Sequence, residues 1–186
     1  MVQDARRHLS RPDELAALAH PLRLDLINHL MAAGPATASE CARALGDTPS
    51  NCSYHLRVLA RSGLVVADDS TDGRERPWRA TVTGFGTDRE EAAPEQADAL
   101  AAVSLQRDQR LSREYLARRD EVSPEWRAAD GHATYTLRMT PAELSALGDR
   151  IDELIRPYLA ATRAAPPDGS ALVHLGLHAF PLTAPP

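Results

Sequence analysis

The sequence predicts a mainly α protein with a small β component: a tri-helical unit closed by a β-hairpin, then one long helix, then a small α+β unit. Three observations predict it. Residues 17–64 hold three helical patterns separated by only a few residues, each bounded by Pro, Thr or Gly. Two short apolar runs follow, flanking a Gly-containing turn. From residue 95 onward a long charged helical pattern gives way to a strand, helix, strand alternation.

Each element has its own local cause. In Ala17 to Gly34, ALAHPLRLDLINHLMAAG, Leu22, Leu26, Ile27 and Leu30 share one helical face, Pro21 suits the first turn and Gly34 ends the run. Ala38 to Leu45 is a short second helix between Pro35 and Gly46-Asp47. The third helix spans 49–62 within TPSNCSYHLRVLARSGL: Thr48 caps it, Pro49 opens it and Gly63 closes it. Only two or three residues separate the second and third helices, the tight turn of a helix-turn-helix. Residues 64–69 and 78–83 are strand-like, and the segment STDGRERP between them is a turn rich in Arg. By element order this is a winged helix-turn-helix, with its wing over 64–83.

The third helix carries the functional signal. Cys52, Leu56 and Leu59 recur at helical spacing and form an inward stripe, while Ser50, Asn51, Ser53, Tyr54 and Arg57 fall on the opposite face. That face holds hydrogen-bonding groups and almost no acid, which suits the major groove of double-stranded DNA. Ser50, Asn51, Ser53 and Tyr54 are the candidate base readers. Arg57 and Arg61 follow along the helix, and Arg74, Arg76 and Arg79 in the wing are candidates for the backbone or minor groove. Trp78 is expected to pack the wing on the helices, and His55 to be structural.

With these residues in place, the chain resembles the ArsR family of bacterial winged-helix regulators over about residues 12 to 83. The resemblance rests on Leu18-Ala19-His20-Pro21-Leu22-Arg23-Leu24, on Ser53-Tyr54-His55-Leu56-Arg57-Val58-Leu59 and on Ser62-Gly63-Leu64-Val65. It implies a homodimer that binds operator DNA and represses or adjusts transcription, and length and composition agree with a small cytoplasmic regulator. Metal sensors of the family carry Cys-x-Cys-Asp before the recognition helix. Here Thr37 and Ser39 occupy the two thiol positions, Cys41 lies two residues later, and 95–119 contains no His, so the usual sensor sites are missing. No cofactor or metal is expected.

Composition bounds the rest. All 21 basic residues are Arg, and 26 acids bring the chain to a net charge of −5. Residues 1–82 hold 10 Arg against 10 acids, so DNA binding has to rest on local placement of Arg rather than on bulk charge. Cys41 and Cys52 are the only cysteines and give no disulfide framework; two buried small apolar side chains is the plain reading, a redox pair the other. No apolar stretch reaches the roughly 18 residues of a membrane helix, and neither a signal peptide nor a catalytic motif is present. The chain is expected not to be an enzyme.

Residues 1–83 are therefore expected to form the DNA-binding domain, 84–94 a linker and 95–186 a dimerisation and effector-binding region. In the long helix 95–119, Leu100, Val103, Leu111, Tyr115 and Leu116 make a discontinuous stripe suited to a second copy, together with the N-terminal helix around Leu15 and Leu18. Residues 132–139, HATYTLRM, alternate like a strand, with Ala133, Tyr135, Leu137 and Met139 on one face. Thr140-Pro141-Ala142-Glu143 opens a helix with Leu144, Leu147, Ile151, Leu154, Ile155 and Tyr158 on one side, and 171–180 reads as another strand. This unit either encloses a small-molecule effector pocket lined by Trp126, Tyr135 and Tyr158, or is a packing and dimerisation module. His174 and His178 share a strand face but stand about 13 Å apart by strand rise, too far to share a metal unaided. A second function class is a protein-interaction module on the same scaffold, without sequence-specific DNA reading.

Overall fold

The computed structural model describes residues 7–68, 76–87, 91–164 and 166–182. Its elements run β1 (Arg7–Leu9), α1 (Pro12–Leu18), α2 (Pro21–Ala33), α3 (Ala38–Leu45), α4 (Pro49–Arg61), β2 (Val65–Ala67), β3 (Trp78–Ala80), β4 (Phe85–Thr87), α5 (Pro94–Ala117), α6 (Pro124–Ala129) and α7 (Pro141–Ala164). A 3-10 turn, Arg119–Glu121, joins α5 to α6. Helices α2, α3 and α4 and the hairpin β2–β3 are the expected winged helix-turn-helix. Their ends follow the local signals. Thr37 and Glu40 form a reciprocal capping box on α3, Gly46 closes it at φ 68°, and Thr48 caps α4.

The core is a single cluster running from Leu9 to Leu100, with Leu26, Ile27, Leu56, Leu59 and Leu64 fully enclosed. The wing is locked to it at its base. β2 and β3 pair antiparallel with Val66 opposite Arg79, and Trp78 exchanges two backbone hydrogen bonds with Ala36, of 3.0 and 2.8 Å. Trp78 packs on the core, as the sequence led one to expect.

The chain turns from α1 into α2 at Ala19-His20, and α2 opens at Pro21 and ends before Gly34 as expected. Arg23 holds that corner by donating to the Ala16 carbonyl at 3.1 Å and to the Ala17 carbonyl, satisfying acceptors at the end of α1. The expected linker 84–94 contains β4, which pairs in parallel with β1, Arg7 opposite Phe85. Leu15 and Leu18, expected on a dimer face, are completely buried in the subunit's own core, and α1 packs on α5 and α2. Finally, 132–139 and 171–180, expected as strands, enter no sheet among the described residues, where β1 pairs only with β4 and β2 with β3.

Helix α5 docks through its first half, where Ala97 and Leu100 are buried, and through ion pairs from Arg107 and Arg110 to Asp25 of α2. From Ser112 to Ala117 it is exposed. Helix α7 touches α2 of the winged domain, and near its end Leu159 Cδ1 lies 3.8 Å from the position a Cβ would take on Gly84. No helix of the described residues is long and apolar enough to cross a membrane.

Candidate nucleic-acid interface

Helix α4 is a split surface, and the split follows its 3.6-residue period. Cys52, His55, Leu56 and Leu59 are buried, whereas Ser50, Asn51, Tyr54, Arg57 and Arg61 are exposed and Ser53 is half-buried. Tyr54 is 59% exposed and its ring meets the His55 ring edge-on at 5.0 Å, so a fixed aromatic stands at the centre of the polar face. His55 faces inward, in its expected structural place. Arg57 and Arg61 make no ion pair among the described residues and leave their guanidinium donors available.

The start of α4 is more tightly built than its composition suggests. Asp47 accepts the Thr48 backbone N–H at 2.6 Å and the Asn51 side-chain amide at 3.0 and 3.1 Å. Thr48 Oγ1 accepts the Asn51 backbone N–H at 3.3 Å. The hydrogen bond from Thr48, reinforced by that from Asn51, holds the Asp47 carboxyl below its ordinary range. Asn51 is thus a tied residue with its NH2 engaged. Asp47, which the sequence reading passed over, places a fixed negative charge at the edge of the polar face; an Asp one residue before a Thr cap is the signal that pointed to it.

In the wing, Arg76 is exposed at the stem. Arg79, half-buried, lines a groove of about 230 Å³ with Leu30, Pro35 and Thr162. Arg74 lies outside the described residues. Arg43, exposed in the last turn of α3, is a further cation beside the helix-turn-helix turn that the sequence reading had not singled out.

The other candidate sites are placed as follows. Cys41 and Cys52 are thiols with no exposed surface; burial pushes Cys41 up to about 11 and raises Cys52 as well. Thr37, at a position where metal sensors of the resembling family carry a thiol, is here a helix cap. Trp126, Tyr135 and Tyr158 are each exposed. None of the three lines the 450 Å³ groove of Leu137, Met139, Glu143, Leu147 and their neighbours, or the smaller one beside Arg79. His174 and His178 do converge: their Nε2 atoms lie 2.8 and 2.6 Å from the two oxygens of Asp108 on α5. The carboxylate reaches between them because Gly176 has no side chain; a Cβ there would lie 3.0 Å from Asp108 Oδ2. Among the described residues no group of three or more His, Cys, Asp or Glu is placed to hold a metal ion.

Residues 18–66 match a family model described as a helix-turn-helix domain. Among solved structures the chain is similar to the homodimeric winged helix-turn-helix DNA-binding domain (fragment 1–100) of Mb0332 from Mycobacterium bovis, described as a possible ArsR-family transcriptional regulator. The identity is 27%, covering 52% of this chain and 77% of that one, at a TM-score of 0.32. It is also similar to two mutants of ZitR from Lactococcus lactis. One is 17% identical over 73% of this chain and 74% of the other, at a TM-score of 0.30. The second, a double mutant in apo form, is 15% identical over 76% and 83%, at 0.32. No curated protein matches the sequence.

Proposed function

We propose, on the premise that residues 18–66 are a helix-turn-helix domain, that the protein is an ArsR-type transcriptional regulator that binds operator DNA as a homodimer through α4 and the wing. The observation that carries this reading is the outward polar face of α4. Ser50, Tyr54, Arg57 and Arg61 project from it uncovered by the C-terminal half of the chain, and Arg76 is equally exposed on the wing stem. A short helix that buries one side and presents hydroxyl, phenol and guanidinium groups on the other has the dimensions and chemistry to enter a major groove. A neutral N-terminal half makes the affinity depend on these few residues, so Arg57, Arg61 and Arg76 act as phosphate or guanine contacts rather than as part of a broad basic field. Asn51, with its amide donated to Asp47, serves to fix the first turn and offers only its carbonyl oxygen to a base.

The protein works in the cytoplasm, and repression follows where a bound dimer occupies the duplex that a polymerase has to enter. The buried, unactivated thiols and the capped Thr37 argue for regulation other than metal capture at the helix before α4.

Selection of bound fragments from random duplex DNA tests the proposal. The expected result is a roughly palindromic sequence with half-sites about one helical turn apart, and a binding constant falling with log salt at a slope of about −5 to −7 for three or four phosphates per subunit. Recovery of no preferred sequence would replace it with the protein-interaction reading.

A further inference from the structure

The buried core ends at Leu100: no residue beyond it among those described is buried, although 105–182 includes two long helical stretches and two extended apolar segments. A helix such as α7 is marginal in water unless an apolar face is covered. Many large apolar side chains between Leu105 and Leu182 are instead exposed by a third to three quarters each, Leu116, Tyr135, Leu154, Tyr158, Leu172 and Val173 among them. So many apolar side chains left in water along one stretch of chain mark a surface that another molecule covers.

Segment 171–180 is the most demanding part. By alternation in the sequence Leu172 and Phe180 share a side with His174, Gly176 and His178, while Val173, Leu175 and Leu177 make an unbroken apolar side, the pattern of a strand covered on that face. Yet it pairs with no strand among the described residues. The two imidazoles on Asp108 hold its centre on α5, while Leu175 and Leu177, 63% and 55% exposed, stand on the opposite face.

We infer that the occupant of this surface is a second copy of the chain, and that residues 171–180 of the two copies pair as antiparallel strands about a two-fold axis near Gly176. That register sets Leu175 opposite Leu177 and Leu172 opposite Phe180 of the other copy, and it is self-complementary, as a two-fold contact has to be. The segment contains no Arg, Asp or Glu, so two copies bring no like charges together beyond the histidines already bound by Asp108. The pairing satisfies backbone groups of both edges and starts an interface that the exposed apolar residues of 105–182 extend. It deepens the homodimer of the proposed function and rests on that part of it alone.

Sedimentation equilibrium of the full chain, without DNA, tests the inference against the double variant L175D/L177D. Both side chains are exposed within the subunit, so the winged domain keeps its circular dichroism and its unfolding transition. The parent is expected to be dimeric at micromolar concentration, and the variant to dimerise at least about 100-fold more weakly, because the change sets carboxylates opposite one another in a desolvated contact. An unchanged dimer in the variant, or a monomeric parent, overturns the inference. Mixing L175C and L177C chains under oxidation reads the register: a covalent heterodimer far above the roughly twofold excess over each homodimer that random pairing gives is expected, and a ratio of about 1:2:1 overturns it. A dimeric parent that selects no DNA would count against the α4 reading and leave this interface standing.

Discussion

The imidazole rings of His20 and His55 lie 4.5 Å apart, centroid to centroid and tilted by 31°, and Nδ1 of each is buried with no hydrogen-bond partner among the described residues. His20 precedes the first turn of α2 and His55 belongs to α4, so the pair joins the recognition helix to the corner that Arg23 holds.

Burial holds both rings below their ordinary value of 6.5. Arg23 adds to the effect at His20, and His20 and Arg23 add to it at His55. The unfolded chain therefore takes up more protons than the folded one in the window just below pH 6.5. The neutral pair's contribution to stability is present above that pH and is lost as pH falls through the depressed folded values. Urea midpoints measured from pH 8 down to pH 5 are expected to drop from about pH 6.5, and H55N is expected to flatten the drop. A parent whose stability rises on acidification through this window would refute the argument.

Removing Arg57 by R57A is expected to weaken operator binding by about 1 to 3 kcal/mol and to relax preference at one base position if it reads guanine. R76A on the wing stem should weaken all sequences alike and make the salt slope shallower by about one unit. Fluorescence anisotropy at several salt concentrations separates the two, and equal effects of both variants on every sequence would remove Arg57 from base reading.

Asp25 receives Arg107 Nε at 2.8 Å and Arg110 Nη2 at 2.9 and 2.8 Å, tying α5 to α2. All three residues remain in contact with water, so solvent screens the attraction and D25A is expected to cost only about 1–2 kcal/mol. The check is a denaturant melt, in which a loss that persists unchanged at 1 M salt would show the ion pairs to be incidental.

The Asp108 contact predicts that G176A and D108A both loosen the C-terminal segment, the first because a methyl group would press on the carboxylate at 3.0 Å, the second because both imidazoles lose their acceptor. Amide hydrogen exchange across 171–180 should quicken in both, with the winged domain's protection unchanged.

Neither thiol should react readily. With Cys41 pushed up to about 11 and both sulfurs buried, the thiolate fraction at pH 8 is small and inaccessible. Ellman titration of the native protein is expected to be slow, with two thiols appearing on unfolding; fast reaction of either would revive a redox role.

The helix-turn-helix was legible because its signals are local. Thr37 with Glu40, Gly46, Thr48 with Pro49, and the spacing of Cys52, Leu56 and Leu59 each act within a few residues, and caps and periodicity are properties of short windows. The polar face of α4 followed from the same period. Its finer division did not: Asn51 looks like a reader until Asp47 is seen to take its amide, a choice between neighbours that composition leaves open.

By itself, then, the sequence determined α2 to α5 and α7 as helices, which side of α4 is apolar and which two strands pair in the wing. Only the tertiary structure decided that Leu15 and Leu18 point into their own subunit, that Arg7–Leu9 pairs with Phe85–Thr87, and that 132–139 and 171–180 enter no sheet among the described residues. It also brought His174 and His178 to one carboxylate 66 and 70 residues away, through the gap at Gly176. The reason is physical: capping and periodicity are decided by neighbours in sequence, whereas strand pairing, burial and ion pairing depend on which distant groups the fold brings within a few ångströms.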